Sequence, residues 1–99
     1  MYMNIIDFTM EELIDPTGII EGRRYEFLLD IEVDEEDELY SSAGTQIRLL
    51  VGDNGEGPFI INYFIMDKQD EKYIELALEE DEEQYLLDFC KERLAQQGE

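Results

Sequence analysis

Residues 45–66 read Thr-Gln-Ile-Arg-Leu-Leu-Val-Gly-Asp-Asn-Gly-Glu-Gly-Pro-Phe-Ile-Ile-Asn-Tyr-Phe-Ile-Met, and the fold turns on how this stretch is read. Two runs rich in β-branched, aliphatic and aromatic residues flank the pair Asn54-Gly55. Asn-Gly tolerates positive φ at both central positions of a tight turn, so the stretch predicts a β-hairpin closed by that pair. In the second run Phe59, Ile61, Tyr63 and Ile65 share one parity, and Ile60, Phe64 and Met66 the other. A strand apolar on both parities is expected to be covered on both faces, which predicts a central strand on which other elements pack. In the first run Ile47, Leu49 and Val51 face one way, Arg48 and Leu50 the other.

Upstream, Gly22 opens the most regular amphipathic segment. Tyr25, Phe27, Leu29, Ile31 and Val33 occupy one parity, while Glu26, Asp30 and Glu32 share the other with Leu28. Period two of this kind predicts a strand with one face in the core and one in water. The acidic run Asp34–Glu38, followed by Leu39–Gly44, reads as a solvated loop, because consecutive acids repel one another. Further upstream, Tyr2–Phe8 alternate weakly and predict a first strand. Thr9 and Glu12 have the spacing of a capping box, but Asp15-Pro16-Thr17-Gly18 ends the segment so soon that a turn or strand extension is expected instead of a helix.

Downstream, Asp67–Glu71 is turn-like, and Ile74, Leu76 and Leu78 alternate through a fifth predicted strand at Lys72–Glu79. From Asp81 the period changes. Leu86, Leu87, Cys90 and Leu94 form a helical stripe widened by Tyr85 and Phe89. Asp81 is the expected N-cap with Gln84 at the capping-box position, Lys91 and Arg93 lie in the expected last turns, and Gly98 is the expected stop. The fold class that follows is α+β: an antiparallel meander sheet of about five strands with one C-terminal amphipathic helix packed on it, one domain over residues 1–99. An exposed edge strand could pair with a second copy, and the sequence leaves the oligomeric state open.

The 99 residues are 43% apolar, enough for one modest core. Against 7 bases stand 27 acids, a net charge of −20. Such a charge maintains solubility, destabilises the compact state by self-repulsion, and argues against direct binding to nucleic acid or an anionic membrane, since both present phosphates. It favours a basic protein or divalent cations as partner. The single Cys90 allows no internal disulfide. With no basic region near the N-terminus and no apolar run approaching the roughly 20 residues of a membrane helix, a cytoplasmic protein is expected.

Histidine is absent, which removes the commonest general base and metal ligand and leaves no Ser-His or Cys-His pair. Cys90 falls on the apolar helix stripe, where a thiol packs and does not react. Paired carboxylates could catalyse only within a cleft, which a small meander seldom encloses. A non-enzymatic protein without cofactor is therefore expected. Neither Asp34–Glu38 nor Glu79–Glu83 has the spacing of an EF-hand loop, and two residues between strands at Asp53-Asn54-Gly55-Glu56 leave no room for a calcium cage; a divalent-cation binder stays as one alternative.

Two surfaces are candidates for a partner. Same-face residues on a strand repeat at roughly 6.8 Å, close to the separation of successive phosphates on a nucleic-acid strand. Glu26, Asp30 and Glu32 form such a row, and Glu75 with Glu79 a second, so an acidic decoy that competes with nucleic acid for a basic protein is the other alternative. The bland reading is that any wet strand face in so acidic a chain shows such rows. Leu39-Tyr40, beside the acidic run, would suit a docking site, or the pair folds back over the sheet edge, which is preferred. Tyr2, Tyr63, Tyr73 and Tyr85 add to the residues typical of interfaces. The principal expectation is a protein-interaction module.

The chain as a whole resembles a family of small acidic bacterial proteins of unknown function. The resemblance is carried by Asp15-Pro16-x-Gly18-Ile19, Gly22-Arg-Arg-Tyr-Glu-Phe27, Leu29-Asp30-Ile31-Glu32, Asp37-Glu38-Leu39-Tyr40 and Phe89-Cys90-Lys91. It implies a stand-alone cytoplasmic protein and supplies no ligand, activity or catalytic residue.

Overall fold

A computed structural model describes residues 3–14, 22–55, 57–69 and 71–97. Tyr2, the Asp15–Gly18 turn and Gly98 lie outside the described residues. The chain forms β1 (Met3–Leu13), β2 (Arg23–Val33), β3 (Thr45–Asp53), β4 (Pro58–Asp67), β5 (Lys72–Ile74) and α1 (Glu80–Gln97). All neighbours pair antiparallel in the order β1-β2-β3-β4-β5, an α+β meander with one C-terminal helix.

The period-two pattern of β2 places Tyr25, Phe27, Leu29, Ile31 and Val33 on one buried face, and β3 adds Thr45, Ile47, Leu49 and Val51 beside them. Each apolar side chain wholly removed from water here contributes about 1.5–3 kcal/mol. On this inner face lies α1, with Leu86 and Cys90 fully buried in the same cluster. Its N-terminal half borders Ile60 of β4, and further along it Phe89 packs edge-on to Phe8 of β1 at 5.2 Å between ring centroids. The Arg93 guanidinium lies 5.1 Å from the Phe8 centroid and 4.7 Å from that of Phe89. The helix thus crosses the sheet from the β4 side to the β1 side.

Two β-bulges alter the faces expected from parity alone. On β1, Ile5 pairs with Ile31 and Asp7 with Asp30, so Ile6 is the extra residue and is 59% exposed, while Ile5, Phe8 and Met10 turn together toward the core. The strand then continues to Leu13, so Thr9 and Glu12 cap no helix. On β4, Leu50 pairs with Asn62 and Val51 with Ile60, which makes Ile61 the extra residue. Past this bulge Ile60 joins Tyr63 and Ile65 on the inner face, whereas Phe59 and Ile61 stand on the other side with Phe64 and Met66. The expectation of a strand covered on both faces is corrected: Phe59 and Ile61 remain 44% and 48% exposed.

The hairpin connection also differs from a two-residue turn. Asp53 pairs with Pro58, leaving residues 54–57 between the strands, and the positive φ values fall on Gly55 (98°) and Gly57 (121°). The Asp53 carboxylate accepts the Gly55 N–H at 2.9 Å, an Asx turn that opens the loop.

β5 ends at Ile74, not Glu79, because the chain leaves the sheet to reach the helix. Along this irregular passage the Leu78 N–H donates to the Tyr63 hydroxyl at 2.9 Å. The helix starts at Glu80, so Glu79 takes the N-cap position expected of Asp81, and the buried Glu82, not Gln84, reaches back to accept the Glu79 N–H at 2.8 Å. Gln84 instead donates to Asp88 one turn on, at 2.8 Å. The helix continues to Gln97, so its last turn holds no base and Lys91 and Arg93 lie before it.

Candidate functional site

The second face of the sheet carries the features that remain after the core is accounted for. Among the described residues no element is packed over it: α1 occupies the inner face, and the loops lie at the strand ends. This outer face divides into two halves of different chemistry.

The half built by β1 and β2 is acidic except at one end, where Arg24 faces outward on β2 beside Gly52. Alternation puts Glu26, Asp30 and Glu32 outward on β2, and the register sets Asp7 of β1 opposite Asp30 and Glu11 opposite Glu26. Like charges directly across a pair of strands oppose folding, by roughly the 0.2–1 kcal/mol that opposite charges would contribute. Neighbouring cations relieve part of this repulsion. From β3, the Arg48 guanidinium bonds the Glu26 carboxylate at 2.8 Å, and from the turn after β4 Lys68 approaches Asp30 at 3.3 Å. The Gln46 side-chain amide also donates to Asp30 at 3.3 Å. Glu32 is exposed. The row expected from β2 parity is therefore present, but two of its members are held in ion pairs. Glu75 and Glu79 form no second row, because they follow β5 on the irregular passage.

The half built by β3, β4 and β5 is mainly apolar, interrupted by Asn62 on β4 and by Gln46 and Arg48 on β3. Gly52 is the reason that Phe59 and Ile61 lie close to the sheet: a Cβ there would meet the Phe59 Cζ at 2.9 Å and the Ile61 Cδ1 at 3.0 Å. Farther along, Phe64 meets Tyr73 of β5 with ring centroids 6.0 Å apart. Arg48 lies 5.8 Å from the centre of the Phe64 ring while paired to Glu26, so it stands at the seam between the two halves.

Leu39 and Tyr40 separate. Leu39 is 4% exposed and belongs to the core, so it is not available to a partner; Tyr40 is 42% exposed. The loop folds back because its polar groups are satisfied locally. The Leu39 N–H donates to the Asp37 carboxylate at 2.9 Å, and the Leu39 carbonyl accepts the buried Thr45 hydroxyl. Ser41 donates to Asp67 at 2.6 Å and the Gln69 N–H donates to the same carboxylate at 2.9 Å; these two bonds hold the Asp67 carboxyl below the usual carboxylate range.

A cleft of about 330 Å³ lies between this loop and the passage into α1, lined by Asp37, Glu38, Leu39, Leu76, Glu79 and Glu82. The Glu82 carboxylate there is engaged in the helix cap, and among the described residues no group of acids or Cys90 is arranged to hold a metal ion. Burial pushes the Cys90 thiol from 9.0 up to about 12, the state of a packing residue. No helix of the described residues is long and apolar enough to cross a membrane.

The family of unknown function DUF6509 matches residues 3–97. The chain belongs to that family. The match spans the whole sheet and helix. No curated protein and no solved structure matches the chain.

The outward placement of Glu26, Asp30 and Glu32 follows from the alternation of β2, whereas that of Asp7 and Glu11 beside them depends on the β1–β2 register. The apolar half likewise depends on the β3–β4 register. Gly52 within a strand pattern was the available signal, since a glycine there marks close approach or a bulge.

Proposed function

We propose that this protein is a non-enzymatic, cytoplasmic interaction module whose partner is a basic protein. The observation that carries this reading is the outer sheet face, uncovered among the described residues, with Asp7 against Asp30 and Glu11 against Glu26 across two paired strands. Two cross-strand acid pairs raise the energy of the free protein, and a partner bearing Lys or Arg would relieve them on binding. The chain's net charge of −20 extends the same attraction over the Debye length and speeds encounter. The Cys90 thiol, packed and protonated, and the lack of histidine support a role without covalent or acid–base chemistry.

The decoy version of this reading has weaker support. A phosphate mimic needs its charges free, and Arg48 and Lys68 already engage Glu26 and Asp30.

The test is affinity capture from lysate at low and moderate salt with nuclease present, followed by the captured protein and Glu26→Gln/Asp30→Asn/Glu32→Gln as purified components. Loss of binding by about tenfold or more in the variant, with a steep salt dependence, supports the reading. A partner whose affinity ignores both the variant and salt refutes it.

A further inference from the structure

We infer that the outer face is a two-part docking surface for an amphipathic helix with an apolar stripe flanked on one edge by Lys or Arg, and that Arg48 and Lys68 are internal competitors for its acidic part. The inference rests on the basic-partner reading above and adds the shape and the apolar chemistry of the ligand.

The apolar half has the composition of an interface centre: Phe59, Ile61 and Tyr73 are 44%, 48% and 64% exposed, with Phe64 between Tyr73 and Arg48. It is preorganised, because Gly52 lets Phe59 and Ile61 settle against the backbone. Charge complementarity names the occupant. The acidic column of β2 lies two strands from β4, roughly 10 Å away at the usual strand spacing. That is about the diameter of one α-helix. A helix seated on Ile61 and Phe64 would therefore bring the residues of one edge over Glu26 and Asp30, whereas Asp7 and Glu11 lie one strand farther and Arg24 faces the Phe59 end across Gly52. A second copy of this chain does not suit the surface, since it would bring a further charge of −20 against the same acids.

The seam gives the arrangement its selectivity. Arg48 pairs with Glu26 and leans toward Phe64, and Lys68 pairs with Asp30. Both cations occupy carboxylates that the incoming helix would use, so a ligand carrying only charge gains little by displacing them. One that also covers Phe59 and Ile61 gains apolar burial in addition. Removing the two internal cations should therefore tighten binding, the opposite of what their loss would do if they only supported the sheet.

Fluorescence anisotropy with two labelled synthetic peptides tests this: an amphipathic helix former with a Leu/Phe stripe edged by Lys, and an oligolysine of equal charge. The stripe-bearing peptide is expected to bind at least about tenfold more tightly than oligolysine at about 0.15 M salt. Phe59→Asn/Ile61→Asn should abolish that difference while leaving oligolysine unchanged, and Arg48→Gln/Lys68→Gln should tighten both peptides several-fold. Circular dichroism and thermal melting of each variant check that it folds; Gly52→Ala, which disturbs Phe59 and Ile61 without adding a polar group, gives an independent apolar perturbation. Equal binding by Phe59→Asn/Ile61→Asn and the parent overturns the apolar half. If Glu26→Gln/Asp30→Asn/Glu32→Gln still abolishes binding in that case, the basic-partner reading survives alone. Unchanged or weaker binding by Arg48→Gln/Lys68→Gln overturns the competition, and failure of both peptides to bind below about 1 mM overturns the docking surface.

Discussion

Tyr63→Phe isolates the contact that carries the chain from the sheet into the helix. Tyr63 sits half-buried on the inner face of β4, and its hydroxyl accepts the N–H of Leu78 at 2.9 Å. Leu78 itself is 7% exposed, in a segment that belongs to neither strand nor helix, so its amide has no ladder partner. Phenylalanine preserves the ring and removes only the acceptor. A partly buried amide left without its partner costs about 1–2 kcal/mol, the lower part of the range for such groups. For a domain of this size each kcal/mol lowers Tm by about 4–8 °C, so a fall of roughly 4–15 °C is expected in a thermal melt by circular dichroism. Amide exchange at Leu78 should accelerate in the variant by more than at fully buried Leu49, whose exchange rises only by the loss of global stability. A Tm within about 2 °C of the parent, with Leu78 exchange unchanged, would show that packing of Leu78 alone tethers the passage. The hydroxyl would then hold nothing.

Three further perturbations address the rest of the molecule. Arg93→Met keeps an apolar stem between Phe8 and Phe89 but removes the cation from both rings, and should lower stability in urea by about 0.5–2 kcal/mol; an unchanged midpoint would mean that only the stem matters. Cys90, fully buried with its thiol pushed from 9.0 to about 12, should react with a thiol reagent only as fast as the core opens. Since its folded value is the higher one, its contribution to stability is complete below pH 9.0 and declines as pH rises toward about 12, and a Cys90→Ala variant should lose this alkaline component of its stability profile. Finally, self-repulsion from a net charge of −20 should make Tm rise with added NaCl up to about 0.5 M; a falling Tm would indicate that the ion pairs at Arg48 and Lys68 outweigh the repulsion.

The separation between what could and could not be read before the tertiary structure is clear in individual residues. Alternation in Tyr25–Val33 and in Thr45–Val51 was legible because a half-buried strand repeats every second residue whatever it pairs with. The helix from Glu80 was legible for the corresponding reason at period 3.6, although its start shifted when Glu82 rather than Gln84 closed the cap. Burial of Cys90 followed from its place on that stripe.

The bulges were not legible. Phe59–Met66 is apolar on both parities, so hydropathy alone could not say where the pairing with β3 slips, and the slip at Ile61 moved Phe59 to the outer face. The same holds for Ile6, the extra residue on β1. Leu39 entered the core while adjacent Tyr40 stayed exposed, an outcome settled by hydrogen bonds to Asp37 and Thr45 that lie outside any periodic pattern.

By itself, then, the sequence determined the element types, the strand order of a meander and the inner core, because these depend on local periodicity and short connections. It also determined the acidic character of the surface. Only the tertiary structure decided how that surface is composed: which acids face one another, which are held by Arg48 and Lys68, and which apolar side chains are left on the second face. Those outcomes depend on register between strands, and register is a property of two segments at once, so neither segment's sequence carries it alone.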